Sequence, residues 1–233
     1  MSFQIAIDGP AGAGKSTIAK KVAKEKGYIY VDTGAMYRAM AYYLISCGIS
    51  KDDEKAIGEK CEGAEITIRY ENGEQVVLLN GQNVNGVIRT EEVGNMASCS
   101  SKHPRVRERL TMLQKELART NDVVMDGRDI GTVVLPHADV KVYLTASAAV
   151  RAKRRYDELT AKGELCDIKK IEEDIVKRDE QDMNREIAPL RQAEDATLVD
   201  SSNMTIDEVV TAILALCRLS LSSLASELKA KRS

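Results

Sequence analysis

The sequence contains no tryptophan, one phenylalanine (Phe3) and eight tyrosines among 233 residues. Its core must therefore be aliphatic, and it has no aromatic platform on which single-stranded nucleic acid could stack. Charge of one sign is lacking too. The 34 Lys and Arg residues against 36 Asp and Glu leave a net charge of -2, whereas nucleic-acid binders show a strong basic excess. No nucleic-acid partner is expected. Only two histidines, His103 and His137, are present, which leaves little for a His-rich metal site or a Ser-His-Asp triad. The five cysteines, Cys47, Cys61, Cys99, Cys166 and Cys217, are odd in number and far apart. That argues against a disulfide framework or a zinc ribbon and predicts isolated, mostly buried thiols in a reducing compartment. Long apolar runs are missing. VVTAILALC, residues 209–217, is about half the ~20 residues of a membrane span, and FQIAI is too short for the core of a signal peptide. A cytoplasmic protein without a membrane partner is expected.

What is present fits a globular chain: 43% hydrophobic and 30% charged residues. The length suits one large domain or one core with inserted sub-domains. FQIAID (3–8), YIYVD (28–32), DVVMDGRD (122–129), VKVYLT (140–145) and ATLVD (196–200) read as short strands bounded by turn residues. Helical spacing fills 15–27, ending at Gly27, and 33–48, starting at a Thr33 cap and ending at Gly48. It returns at 90–101, at 104–119 behind Pro104, at 147–185 with a break near Gly163, and at 205–228. Five strands with helices between them imply an α/β fold, a parallel sheet with helices on both faces. Residues 65–84 differ: they alternate apolar and polar and hold Asn-Gly at 72–73 and 80–81, the mark of tight antiparallel hairpins. This piece reads as an insert. The basic tail KAKRS, 229–233, is expected to fray.

The stretch IAIDGPAGAGKST, 5–17, carries the chemistry. Gly9, Pro10, Ala11, Gly12, Ala13, Gly14, Lys15, Ser16 and Thr17 contain G-x-x-x-x-G-K-[ST], the P-loop. Glycines let backbone N–H groups turn toward phosphate oxygens, and the following helix points its positive end at the anion. Lys15 reaches the β- and γ-phosphates, and the Ser16 hydroxyl can bind Mg²⁺. Four fixed positions would match by chance in roughly one chain of this length per hundred. Here the match also follows a strand and opens a helix, the context that marks a nucleotide site.

GPAGAGKST, VDTGAMYRA, DGRDIGTVV and RDEQDMNREIAPL together resemble bacterial cytidylate kinase, a P-loop nucleoside monophosphate kinase family. The resemblance runs from about residue 3 to 217 and weakens beyond Leu216. It implies a P-loop kinase core with a five-stranded parallel sheet, an inserted β-containing monophosphate-binding sub-domain and a helical lid. Within one domain of 1–233, the core would be about 1–62, 91–147 and 167–217, the insert 63–90 and the lid 148–166. The implied reaction moves the γ-phosphate of ATP to CMP or dCMP, with Mg²⁺.

An acceptor site of that kind must hold phosphate, ribose and cytosine. The arginine fork binds two phosphate oxygens at once, and the resemblance gives phosphate to Arg38, Arg128 and Arg185. It places Asp129 at the cytosine amine, and Arg107 and Ser98 on the ring. A carboxylate matches that amine donor, and uracil would set its O4 against the same carboxylate, acceptor to acceptor. Arg178, Asp182 and Arg185 stand at i, i+4 and i+7, one face of a helix. The resemblance gives Arg178 and Asp182 to the ribose, though spacing alone fits a solvated salt bridge equally. Thr33 is a second ribose candidate as well as a helix cap. Arg151, Arg154 and Arg155, at i, i+3 and i+4, are expected to close over the transferred phosphate; a solvated basic face has the same spacing. Asp126 ends its strand where a Walker B acid would stand, to organise Mg²⁺ through water or simply to cap the turn, and Asp32 is equally open.

No general base is visible, and an acceptor phosphate that is already an anion needs none. The other readings are a P-loop kinase acting on UMP, AMP or a hydroxyl, and a P-loop ATPase or GTP switch. A guanine-reading N/T-K-x-D motif is absent. A monomer is expected, since inserts flanking a site need room to move.

Overall fold

A computed structural model describes residues 2–230, and of residues 223–230 only the backbone. In chain order the elements are β1 (Gln4–Asp8), α1 (Lys15–Lys26), β2 (Ile29–Asp32), α2 (Thr33–Ser46), α3 (Glu54–Lys60), a 3-10 turn (Cys61–Gly63), β3 (Ile66–Glu71), β4 (Glu74–Leu79), β5 (Gln82–Asn83), α4 (Glu91–Ser100), α5 (Pro104–Thr120), β6 (Val123–Gly127), a π-helical segment (Ile130–Val134), β7 (Val140–Thr145), α6 (Ala148–Ala161), α7 (Ile168–Asn184), β8 (Thr197–Asp200) and α8 (Ile206–Ala230). Five of the strands form a parallel sheet in the order β2-β6-β1-β7-β8, and β3, β4 and β5 form a second, antiparallel sheet. The α/β class, the five strands and the small extra sheet are as read from the sequence.

The chain divides into two compact units, Phe3–Tyr28 with Val124–Ser233, and Ile29–Val123. In the first, β1 pairs with β7 from Ile5↔Val140 to Asp8↔Tyr143. Ile5, Ile7, Met125, Leu144 and Ile213 are fully buried there. Strands buried on both faces read as continuous apolar runs, and IAI and VVM do so. Helix α1 turns Ile18, Ala19, Val22 and Ala23 inward and stops at Gly27, whose φ of 68° suits a left-handed cap. In the second unit, Met36, Met40, Leu44, Ile88 and Leu110 are fully buried, so the core is aliphatic and methionine-rich, as the shortage of aromatics requires. The Asn-Gly pairs make the expected turns: Asn72 and Gly73 have φ 53° and 80°, Asn80 and Gly81 φ 49° and 80°. Two successive positive φ values define the type I′ turn that matches strand twist.

Two expectations need correction, and one helix is added. Helix α2 is capped by Asp32, whose carboxylate accepts from the Ala35 N–H; Thr33 is already the first helical residue. The short polar helix α3 was not foreseen, because EKAIGEK carries too few apolar residues to show a period. Of the five free cysteines only Cys61 and Cys217 are buried, while Cys47 is exposed. Of the tail expected to fray, residues 229 and 230 belong to α8 and 231–233 lie outside the described residues. Among the described residues no helix is long and apolar enough to cross a membrane.

Candidate active site

In the first unit, the turn between β1 and α1 needs its glycines. Gly9, Gly12 and Gly14 have φ of 150°, 75° and 86°, a region closed to most side chains. Gly14 caps α1 with no side chain, so the first N–H groups of the helix face outward as an anion site. Lys15 folds back over this loop, its Nζ donating to the Pro10 carbonyl at 2.7 Å. The Ser16 hydroxyl donates to Asp126 at 3.0 Å. Asp126 therefore stands beside the P-loop, as its position near the end of β6 suggested.

Around Lys15 the same unit gathers more charge. Arg128 donates from Nε to Asp182 at 2.8 Å, and Arg185 meets Asp129 at 3.1 Å and Asp182 at 3.9 Å. Only 5% of the Arg185 side chain is exposed. It stands at the C-cap of α7, one residue beyond Asn184, and still reaches Asp182 one turn back. The Arg178 Nε is buried without a hydrogen-bond partner. Burial, reinforced by the Arg128 charge, pulls its guanidinium below the usual range. Arg128 and Arg185 thus share Asp182 in one largely buried network of arginines and carboxylates.

Arg151 proves to be a buttress. Buried, it donates from Nε to the Ala146 carbonyl at 2.8 Å and from Nη1 to the Ala11 carbonyl of the P-loop at 2.9 Å, and pairs with Asp179 at 2.7 Å. Arg154 bonds the Ser201 carbonyl at 2.7 Å, and the exposed Arg155 pairs with Glu158. Basic residues at i, i+3 and i+4 thus separate into one internal strut and two surface groups.

The second unit holds the other candidates. Arg38 donates to the carbonyls of Ile88 and Thr90 at 3.1 and 3.3 Å. Arg107 is buried over the Tyr37 ring, 5.8 Å from its centroid, and donates to the Ser101 carbonyl at 3.2 Å. Ser98, on α4, is half-buried, and its carbonyl accepts from the Ser101 hydroxyl. Thr33 is buried at the start of α2. Asp32 is fully engaged: besides capping α2 it pairs with Arg89, and its backbone N–H and carbonyl bond the buried Gln75 amide at 2.8 and 3.2 Å.

Two ionisations follow from burial. Asp8, at the end of β1, is pushed up to about 6 by desolvation, against two backbone N–H bonds that favour its charge. The residue was passed over in the sequence because nothing local to Ile-Asp-Gly-Pro marks a partner far along the chain. Lys15 is pulled down to about 7, first by desolvation and then by Arg128. The unliganded amine therefore gives up its proton more readily than an exposed lysine. A bound polyphosphate, itself deprotonated above a second pKa of about 6, restores the charge, because a nearby anion favours the ammonium. ATP binding at pH 8 should take up a sizeable fraction of one proton. Calorimetric titration in two buffers of different ionisation enthalpy measures it, and an uptake near zero would show that Lys15 stays charged without ligand.

Among solved structures, a gluconokinase from Sinorhizobium meliloti 1021 shares the fold, with a TM-score of 0.50 and 14% identity over 96% of this chain and 97% of that one. Sequence similarity is far closer. A cytidylate kinase of Shouchella clausii is 50% identical over 216 residues, 93% of this chain and 96% of its own. One from Caldicellulosiruptor bescii is 51% identical over 214 residues, 92% and 95% of the two chains. The profile of the cytidylate kinase family matches residues 5–219, a span that takes in the P-loop, Asp126 and every arginine considered above. The chain belongs to the cytidylate kinase family.

Proposed function

We infer that the chain transfers the γ-phosphoryl group of ATP to CMP or dCMP, giving ADP and CDP or dCDP. The observation that carries this reading is the clustering, within one unit, of the P-loop, Lys15, Ser16 and Asp126 with the Arg128, Asp129, Asp182 and Arg185 network. ATP is the phosphate donor that kinase membership implies. Its β- and γ-phosphates belong on the N–H groups of Gly9 to Thr17 and on Lys15. The hydroxyl of Ser16 and the carboxylate of Asp126 offer the oxygen donors that suit Mg²⁺, which holds few protein ligands and keeps its water. Bound there, the ion would neutralise charge on the phosphates. Arg128 and Arg185 stabilise the migrating group, whose negative charge is spread over its outer oxygens. The acceptor phosphate attacks as it stands, without a base.

Arg38 is assigned to the acceptor phosphate, Thr33, Arg178 and Asp182 to the ribose, and Arg107, Ser98 and Asp129 to the base. Residues 63–90 serve the monophosphate and 148–166 form the lid. Lid closure is assigned to one or more of Arg151, Arg154 and Arg155; Arg151 would have to leave the Ala11 carbonyl and Asp179, whereas Arg154 and Arg155 would exchange their bonds to Ser201 and Glu158. Protection from hydrogen exchange across 150–165 should rise when both nucleotides bind, and an unchanged segment would remove the lid from the mechanism. We assign a cytoplasmic monomer whose partners are these nucleotides.

ADP release with ATP and Mg²⁺ tests the whole reading, with CMP, dCMP, UMP and AMP offered separately. Turnover with CMP and dCMP and little with UMP or AMP is expected. Slow release that ignores the monophosphate would favour an ATPase or switch, and preference for UMP or AMP another kinase. Asp129→Ala should erode the preference for CMP over UMP by roughly a hundredfold in kcat/KM, the size of a mismatched buried hydrogen bond. An unchanged ratio would mean that the cytosine edge is read elsewhere.

A further inference from the structure

Asp129 occupies a cap position and does not cap. It precedes the π-helical segment Ile130–Val134, yet its side chain accepts no N–H of that segment. An aspartate at such a place ordinarily turns its carboxylate onto the N–H two or three residues on. Here the first N–H groups are taken by another residue. Ile130 donates to Oδ1 of Asp8 at 2.8 Å and Gly131 to Oδ2 at 2.7 Å, across 122 and 123 residues of chain. Two oxygens of one rigid carboxylate on two consecutive N–H groups fix both the position and the rotation of that backbone. Asp129 is the next residue back, and its carboxylate meets Arg185 at 3.1 Å.

We propose that Asp8 is a positioning residue for base recognition: by capping this segment in place of Asp129, it keeps the Asp129 carboxylate turned toward Arg185 and the nucleobase. The proposal rests on the reading that Asp129 meets the cytosine amine. Two further observations agree with it. Gly131 leaves the approach open: a Cβ there would lie 3.4 Å from Asp8 Oδ2, in contact with the carboxylate, and 3.2 Å from Lys141 Cδ. The Asp8 carboxylate is also buried at a cost: desolvation, with Asp129 acting in the same direction and Lys15 opposing, raises it to about 6. An expensive buried carboxylate beside a reactive site is the pattern of a group kept for its function.

The experiment compares Asp8→Asn, Gly131→Ala and Asp129→Ala in steady-state kinetics with CMP and UMP. Asparagine keeps the size but turns an NH₂ toward one of the two N–H groups, donor to donor. Gly131→Ala leaves the carboxylate intact and crowds its contact with the backbone by a few tenths of an ångström. In both, the CMP-to-UMP ratio of kcat/KM should fall on the order of tenfold, mainly through the KM for CMP, with the KM for ATP within about twofold. A residue that only supported the fold would reduce the active fraction, lowering kcat for both acceptors and leaving ratio and KM alone. If Asp129→Ala lowers the ratio while Asp8→Asn and Gly131→Ala keep it, the proposal is overturned and the cytosine reading stands. If Asp129→Ala also keeps the ratio, the cytosine reading fails and the proposal with it. Should Asp8→Asn not fold, Gly131→Ala decides alone.

Discussion

Replacing Lys15 with methionine is expected to lower kcat by on the order of 10²–10³-fold, the loss seen when one donor to a developing negative charge is removed, and to leave the fold intact. The second half is as specific as the first. Lys15 is buried, its ammonium donates to the Pro10 carbonyl, and desolvation holds it near 7. A base whose folded pKa lies below its unfolded value binds fewer protons when folded, so stability rises with pH between about 7 and 10.5 and the charged form costs stability below that window. Methionine fills the same channel without that cost. Its Tm at pH 6 should equal or exceed that of the wild type, while ADP release collapses. Normal turnover would remove Lys15 from the phosphate site; a collapsed Tm would show that the lysine is structural. Proton uptake on ATP binding should vanish in the same variant.

The features legible in the sequence are those whose cause lies within a few residues. VKVYLT became β7 with the boundaries expected, since a short apolar run is its own signal. The Asn-Gly pairs dictate their turns for the same reason. The P-loop is legible because glycine positions, lysine and hydroxyl act on one ligand from one turn. What was missed depends on partners far along the chain. Asp8 gains its role from Ile130 and Gly131, and Arg151 becomes internal because Ala11 and Asp179 fold against it. From spacing alone an arginine with such partners looks like any solvated one. The π-helical segment is equally silent: IGTVV is an apolar run that periodicity cannot assign, and its first N–H groups are satisfied from another strand. Asp32 against Thr33 as the cap of α2 was a choice between adjacent residues that both can cap, decided by which one leaves helical backbone angles.

Gly9→Ala should be the most damaging single methyl group in the protein. A Cβ at Gly9 would lie 1.9 Å from the Leu144 carbonyl oxygen and 3.0 Å from its carbon, both backbone atoms of the buried strand β7. No side chain can swing aside. The strand would have to move, and β1 and β7 are held in register from Ile5↔Val140 to Asp8↔Tyr143. The backbone at Gly9, with φ 150°, adds a conformation alanine rarely adopts. Gly14→Ala is the control. Its φ is 86°, but nothing lies within 4 Å of its Cβ, so only the conformational cost of about 1–2 kcal/mol applies. Overpacking a closed core costs typically 1–3 kcal/mol and more when backbone must shift, so Gly9→Ala should lose several kcal/mol by urea unfolding, or fail to fold. Equal losses at the two positions would mean that backbone angle alone sets the demand for glycine. A larger loss at Gly9 would mean that the first glycine of the loop is there to let it cross β7, leaving the later ones to shape the phosphate cradle.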